Sequence, residues 1–159
     1  MKKITFLTLC ILLLAGAARA ELVTGTVSYQ QGDTTLQGYL AFDNSFARPR
    51  PGVLVVHEWW GLNDYARHRT EQLARLGYVA FAADMYGQGA VTRDPEEAGT
   101  WSGHLRGSPL LRQRARAALD VLKKQDRVDP GRLGAIGFCF GGTTVLELAY
   151  SGADLAGVV

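Results

Sequence analysis

The sequence predicts an α/β fold with a mainly parallel sheet and an antiparallel hairpin at its N-terminal edge. From Val53 onward, short apolar runs alternate with longer amphipathic segments, as in successive βαβ units. Before that point, residues 23–42 contain two runs rich in β-branched and aromatic residues, separated by the turn signal Gly32-Asp33. In such a fold the active site lies at the carboxyl ends of the parallel strands.

The first βαβ unit is predicted over residues 53–83. Val53–Val56 is a continuous apolar run, typical of a strand that is buried on both faces. A helix begins at Asn63 or Asp64, either of which can cap it, and runs to about Leu76. The next strand covers Val79–Ala83.

Two further helices precede the next strand. Asp94 followed by Pro95 and two acidic residues indicates a helix start, and a longer helix runs from Ser108 to about Gln125. One face of that longer helix is apolar: Leu111, Ala115, Ala118, Leu119 and Leu122. Its basic residues are interpreted as the solvated face: Arg112, Arg114, Arg116, Lys123 and Lys124.

The C-terminal part repeats the strand–helix pattern. A turn is predicted at 129–131, a buried strand at Leu133–Ile136, a helix at Thr143–Tyr150 and the start of a strand at Leu155–Val159.

Residues 137–142 read Gly-Phe-Cys-Phe-Gly-Gly and join the Leu133–Ile136 strand to the following helix. The spacing is that of the G-x-S-x-G nucleophile motif, with sulfur in place of oxygen. Gly137 and Gly141 relieve crowding where the strand and helix cross, and the helix N-terminus favours both a thiolate and an oxyanion. The alternative is a buried structural cysteine in a tight turn.

Glu58, Tyr86 and Cys139 each follow a predicted parallel strand, so they converge on one rim of the sheet. We expect Cys139 to be the nucleophile, with Glu58 holding its proton or pairing with a cation; the alternative for Glu58 is a surface glutamate. Tyr86 and Trp60 are assigned to the substrate pocket.

Two backbone amides are the predicted oxyanion donors. The N–H of Phe140 directly follows the nucleophile, and the N–H of Trp59 lies just past the earlier strand.

The three histidines are not assigned to catalysis. His57 is interpreted as a structural histidine, and His68 and His104 as solvent-facing helix residues. No His, Cys or carboxylate pair has metal-ligand spacing, so no metal site is predicted.

Residues 1–20 are predicted to be a Sec-type signal peptide, with a basic start, an apolar segment and the A-x-A site that ends at Ala20. Cleavage after Ala20 predicts a periplasmic or secreted protein with no stable membrane anchor. It lowers the net charge from +2 to −1, so no nucleic-acid partner is expected. It also removes Cys10 and leaves Cys139 unpaired in an oxidising compartment, which favours a functional thiol.

The chain resembles the dienelactone hydrolase family of the α/β-hydrolase fold. The likeness lies in residues 137–142, in 55–63 (V-V-H-E-W-W-G-L-N), in 83–87 (A-D-M-Y-G) and in the hairpin residues 38–41. It implies an esterase or lactonase that forms a cysteine acyl-enzyme, acts on a small-molecule ester or lactone and needs no cofactor. It further implies that Cys139 is the nucleophile and that Glu58 governs its protonation.

The sequence departs from this family in two places. Residues 87–89 (G-Q-G) occupy the place where the family carries a substrate-binding arginine. The family's aspartate and histidine lie downstream of the nucleophile, whereas no histidine follows Cys139 and Asp154 is poorly placed. We therefore expect residues 21–159 to be an incomplete α/β-hydrolase domain with its C-terminal part missing, poorly soluble and without efficient turnover when isolated.

Two other functions stay open. The chain could be a non-catalytic exported fragment or binding module that retains residues 137–142, the cysteine turn. A redox-sensing thiol is the weaker alternative, because no resolving cysteine is present.

Overall fold

The computed structural model describes residues 21–159. The predicted signal peptide, 1–20, lies outside the described residues, as does Cys10. Within residues 21–159, no helix has both the length and the apolar character needed to cross a membrane.

Within the described residues, six strands form a single sheet in the order β1-β2-β4-β3-β5-β6. They are β1 (Leu22–Gln31), β2 (Thr34–Asp43), β3 (Arg50–Val56), β4 (Val79–Ala83), β5 (Val128–Gly137) and β6 (Gly157–Val158). The β1–β2 hairpin is antiparallel and pairs antiparallel with β4, whereas the β4–β3, β3–β5 and β5–β6 pairs are parallel. The mainly parallel sheet with an N-terminal hairpin at one edge is therefore confirmed.

In this part of the chain, from Glu21 to Val159, four helices connect the parallel strands. They are α1 (Asp64–Arg75), α2 (Pro95–Arg106), α3 (Leu110–Lys123) and α4 (Phe140–Tyr150). The side chain of Asn63 accepts a hydrogen bond from the N–H of Ala66 (3.1 Å), and Asp94 accepts one from the N–H of Glu96 (2.8 Å). Asn63, rather than Asp64, is thus the cap of α1, and the predicted cap of α2 is confirmed.

Two elements start earlier than the sequence predicts. Strand β5 begins at Val128 because Val128 pairs with Arg50, and a register shift between Pro51 and Gly52 of β3 accommodates the predicted 129–131 turn inside the strand. Helix α4 begins at Phe140 rather than Thr143, so it follows Cys139 without an intervening loop.

The core has two layers, one on each face of the sheet. Leu54 and Val56 face the layer covered by α3 and α4, while Val55 between them packs with α1. The α1 face is less completely covered, since an open groove of about 390 Å³ is lined by Leu73, Ile136 and Phe138.

The strand order creates a crevice between β3 and β5. The chain leaves β3 towards β4 on one side and leaves β5 towards β6 on the other, which is the arrangement that opens ligand crevices in α/β sheets. Val56 pairs with Gly137 at the carboxyl end of these strands. Glu58 and Cys139 each lie two residues further along, at the mouth of the crevice.

Candidate active site

Cys139 occupies a backbone conformation that L-residues rarely adopt. Its φ is +54° and its ψ is −109°, and it directly precedes α4. Within residues 21–159, the other non-glycine residue with positive φ is Gln88. The Cys139 side chain is exposed, so the buried structural cysteine considered from the sequence is excluded. Strained and exposed residues of this kind cluster at functional sites.

Gly137 and Gly141 are required by the close crossing of β5, α4 and β3. A Cβ atom on Gly137 would lie 2.1 Å from the carbonyl oxygen of Gly141, and one on Gly141 would lie 2.2 Å from that of Val56. Both separations are far below contact distance and both involve backbone, so the steric reason predicted for these glycines is confirmed. The crossing presses the first turn of α4 against the end of β3.

Two backbone amides at this crossing are free to bind a ligand. The N–H of Phe140 belongs to the first residue of α4, where helical geometry provides no intrahelical acceptor. Within the described residues, neither this N–H nor that of Trp59 donates to a protein acceptor. The positive end of the α4 dipole adds to the potential at Phe140.

Glu58 is half-buried on the loop after β3. Among residues 21–159 its carboxylate takes part in no salt bridge, so the described residues supply no cation to pair with it.

His57 is 1% exposed, and both of its ring nitrogens bond to backbone. Its Nδ1–H donates to the carbonyl oxygen of Glu58, and its Nε2 accepts from the N–H of Met85 (3.3 Å). Burial lowers the pKa of His57 to about 4, although the Glu58 carbonyl and the charge of Asp84 act in the opposite direction. The imidazole is therefore neutral at pH 7 and has no free nitrogen for Cys139, which confirms a structural histidine. His68 and His104 are exposed, as predicted.

Tyr86 lies close to Cys139 and to the loop after β3. Its hydroxyl donates to the carbonyl oxygen of Trp59 (2.9 Å), and its ring contacts those of His57 and Trp101, each 5.2 Å away between centroids. Burial raises the pKa of Tyr86 to about 12, with the charge of nearby Arg106 acting against it and that of a Cys139 thiolate acting with it.

The two residues assigned to the substrate pocket line separate cavities. Trp60 lines a cavity of about 710 Å³ together with Tyr65, Arg67 and Arg93. Tyr86 lines another of about 440 Å³, on the α2 side. Cys139 stands exposed on the rim rather than inside either cavity, so a single pocket formed by Trp60 and Tyr86 is not what the structure shows.

The prediction that Arg114 belongs to the solvated face of its helix is wrong. Arg114 is 9% exposed, and its Nη1 donates to the carbonyl oxygens of Met85 (2.6 Å) and Tyr86 (3.1 Å). Burial lowers the pKa of its guanidinium, while the neighbouring Asp84 charge raises it. The helical spacing does indicate that Arg114 is buried, because it lies three residues after Leu111 and four before Ala118, within the apolar stripe.

Asp84 also holds the loop after β4, to which Met85 and Tyr86 belong. Its carboxylate accepts hydrogen bonds from four backbone amides: Gln37 (2.9 Å), Tyr86 (3.0 Å), Gly87 (2.8 Å) and Gly89 (2.9 Å). Asp84 and Arg114 together fix the loop that presents Tyr86.

Helix α2 contributes two residues that sequence reasoning did not assign to the site. Trp101 packs edge-on against Tyr86, and the Arg106 guanidinium lies 5.6 Å from the centre of the Phe140 ring. Nothing in the spacing of α2 indicates these contacts, because they depend on where the helix docks. In residues 21–159, no group of three or more His, Cys, Asp or Glu side chains could hold a metal ion.

Comparison with known proteins identifies the family. The sequence model of the dienelactone hydrolase family matches residues 36–159. Protein usf of Aquifex pyrophilus is 32% identical over 134 residues, which are 81% of this chain and 56% of that protein.

Two solved structures share the fold at higher identity. The structure named m3DLH has 46% sequence identity and a TM-score of 0.84, and the match covers 86% of this chain and 57% of that one. A dienelactone hydrolase-like promiscuous phosphotriesterase from metagenomic libraries has 43% identity and a TM-score of 0.82 over the same shares.

The chain spans about half the length of the curated relatives it matches. The family match covers most of residues 21–159, including most of β2, all of β3 to β6, the cysteine turn and the loops after β3 and β4. This chain belongs to the dienelactone hydrolase family and has its α/β-hydrolase fold.

Proposed function

We propose that this chain provides the nucleophile side of a carboxylic-ester or lactone hydrolase in which Cys139 is acylated. The observation that carries the proposal is the exposed Cys139, held at a φ of +54° at the N-terminus of α4 and at the mouth of the β3–β5 crevice. A small-molecule ester or lactone is the proposed substrate, in line with the name of the dienelactone hydrolase family.

In the proposed reaction, the Cys139 sulfur attacks the carbonyl carbon and a C–S bond forms. The carbonyl oxygen becomes an oxyanion that accepts hydrogen bonds from the N–H groups of Phe140 and Trp59. Collapse of this intermediate breaks the C–O bond, releases the alcohol as its alkoxide or phenolate, and leaves a thioester. Water then hydrolyses the thioester, which releases the acid and restores the thiol.

Glu58 is the proposed acceptor of the thiol proton. Glu58 follows Val56 by two residues, as Cys139 follows its strand partner Gly137, and the half-buried Glu58 carboxylate has no salt-bridge partner within the described residues. A carboxylate without a competing cation is available to take the proton as sulfur attacks.

We also propose that the protein acts outside the cytoplasm after cleavage behind Ala20, on the basis of its sequence alone. Appearance of the protein in a periplasmic or culture fraction, with Glu21 as its first residue, tests that location. An uncleaved protein in the cytoplasmic fraction would contradict it.

The test of the reaction is the release of p-nitrophenolate from p-nitrophenyl acetate, with protein in excess over ester. We expect wild type to release one p-nitrophenolate per ester molecule rapidly, Cys139→Ala to release none on the same timescale, and Glu58→Gln to release it roughly tenfold or more slowly. The matched control is Glu97→Gln, which alters an exposed carboxylate at the start of α2 and is expected to behave as wild type.

Equal release from wild type and Cys139→Ala would contradict the proposal and favour a non-catalytic binding module. The lactone dihydrocoumarin, followed in the same way, extends the test to cyclic esters.

A further inference from the structure

We propose that His57 is a positioning residue that fixes the peptide between Glu58 and Trp59, so that the Trp59 N–H faces the oxyanion formed at Cys139. This inference rests on the proposed function, since it concerns the same site.

The hydrogen bonds of His57 select one neutral tautomer. The Met85 N–H donates to Nε2 (3.3 Å), so that nitrogen carries no proton. The proton is therefore on Nδ1, which donates it to the Glu58 carbonyl oxygen. A ring held from both sides by backbone cannot rotate without losing a buried hydrogen bond.

The Glu58 carbonyl and the Trp59 N–H belong to the same peptide group. No cis peptide bond occurs within residues 21–159, so this group is trans and its C=O and N–H point in opposite directions. Because His57 draws the carbonyl towards the buried ring, the N–H points away from that ring, and the proposal is that it faces the rim on which Cys139 is exposed. Donation to the carbonyl also polarises the amide and strengthens its N–H as a donor.

Three consecutive carbonyl groups of this loop accept hydrogen bonds, two of them from other segments of the chain. The Glu58 carbonyl accepts from His57, the Trp59 carbonyl from the Tyr86 hydroxyl (2.9 Å) and the Trp60 carbonyl from the Thr92 N–H (3.0 Å). The N–H of Trp59, in contrast, has no protein acceptor among the described residues. A loop anchored through its carbonyl groups holds such a free N–H as a preorganised donor.

The imidazole also touches the residue that carries the second donor. Its ring lies 6.0 Å from that of Phe140, centre to centre, with an angle of 26° between the planes. His57 therefore packs against the side chain of one donor residue and orients the peptide of the other.

A space-filling role and a positioning role for His57 predict different effects of its replacement on two reactions of Cys139, acylation and alkylation. Acylation by an ester passes through an oxyanion, whereas alkylation by iodoacetamide is a displacement at saturated carbon and forms none. Loss of the Trp59 donor should slow acylation and leave alkylation unchanged. General disorder of the site should slow both reactions.

The experiment compares His57→Leu, which has neither hydrogen bond, with His57→Gln, whose amide can donate to Glu58 and accept from Met85. We expect acylation of Cys139 by p-nitrophenyl acetate to fall roughly 10- to 100-fold in His57→Leu, to recover largely in His57→Gln, and alkylation to stay within about twofold throughout. His68→Leu, at an exposed position of α1, is the matched control and is expected to match wild type in both reactions. A proportional fall of both rates, or no fall in either, would overturn the proposal.

A measurement on the wild-type protein covers the case in which His57→Leu does not fold. Nitrogen-15 NMR of histidine-labelled protein reports which ring nitrogen carries the proton, and we expect Nδ1–H for His57 at pH 7, with His68 and His104 as exposed references. A proton on Nε2 would overturn the proposal. Wild-type protein that is not acylated at all would instead refute the proposed function, whatever the tautomer of His57.

Discussion

Acidification should destabilise this protein through His57 well before its carboxylates are protonated. In the folded protein burial lowers the pKa of His57 to about 4, whereas the ordinary value is 6.5. Between these two values the unfolded chain binds the proton and the folded chain does not. Stability is therefore complete above pH 6.5 and is lost as the pH falls towards 4.

The size of the effect follows from the pKa difference. Each pH unit below the unfolded pKa removes about 1.4 kcal/mol, so a fall from pH 7 to pH 5 should lower the free energy of unfolding by about 2 kcal/mol through His57. The lowered pKa values of Asp43 and Asp129 act in the same direction at lower pH, below the usual carboxyl range.

Urea unfolding at pH 7 and pH 5, followed by tryptophan fluorescence, measures this loss. The comparison protein is His57→Gln, which keeps a donor and an acceptor but does not titrate. The remaining histidines and all carboxylates are common to both proteins, so their contributions cancel in the difference. We expect the loss between pH 7 and pH 5 to be about 2 kcal/mol smaller in His57→Gln than in wild type. Equal losses in the two proteins would refute a buried, neutral His57.

Three further substitutions test the packing and the charge around the site. In urea unfolding, Gly141→Ala should lower the free energy of unfolding by about 3 kcal/mol, because the added Cβ would lie 2.2 Å from the Val56 carbonyl oxygen. Its control, Gly142→Ala, should be neutral or stabilising, because there the added Cβ would lie 3.5 Å from the nearest atom, an ordinary contact distance. Arg114→Leu should lower the free energy of unfolding by about 2–3 kcal/mol, since it leaves two carbonyl groups without a donor. Arg112→Leu, which removes an exposed ion pair, should lower it by at most about 1 kcal/mol in the same measurement. Arg106→Gln should slow acylation by p-nitrophenyl succinate, which carries a carboxylate, several-fold more than acylation by p-nitrophenyl acetate; equal effects on both esters would contradict a role for this charge.

The sequence predicts those structural features that depend on the residue types within one short segment. The apolar runs of β3 and β4 predict buried parallel strands, and Asp94 predicts a cap that the structure contains. Gly137 and Gly141 identify the cysteine turn because no other residue fits where backbone crosses backbone. Each of these features depends on sterics within a few residues, which spacing expresses directly.

Features that depend on tertiary docking were not predictable in the same way. Arg114 was assigned by its charge rather than by its position in the apolar stripe, although the backbone carbonyls of the loop after β4 allow a guanidinium to be buried. The start of α4 at Phe140 and the approach of Trp101 and Arg106 to Tyr86 and Phe140 follow from the packing of whole helices. Trp60 and Tyr86 line separate cavities for the same reason.

The central claim is that Cys139 is an acylated nucleophile, and mass spectrometry tests it most directly. The protein is mixed with p-nitrophenyl acetate, quenched in acid, and digested for peptide mapping. We predict one acetyl group per chain, carried by the peptide that contains Cys139, no such adduct in Cys139→Ala, and a much slower reaction in urea-unfolded protein. Acetylation confined to lysines, or equally fast acetylation of the unfolded chain, would contradict the claim.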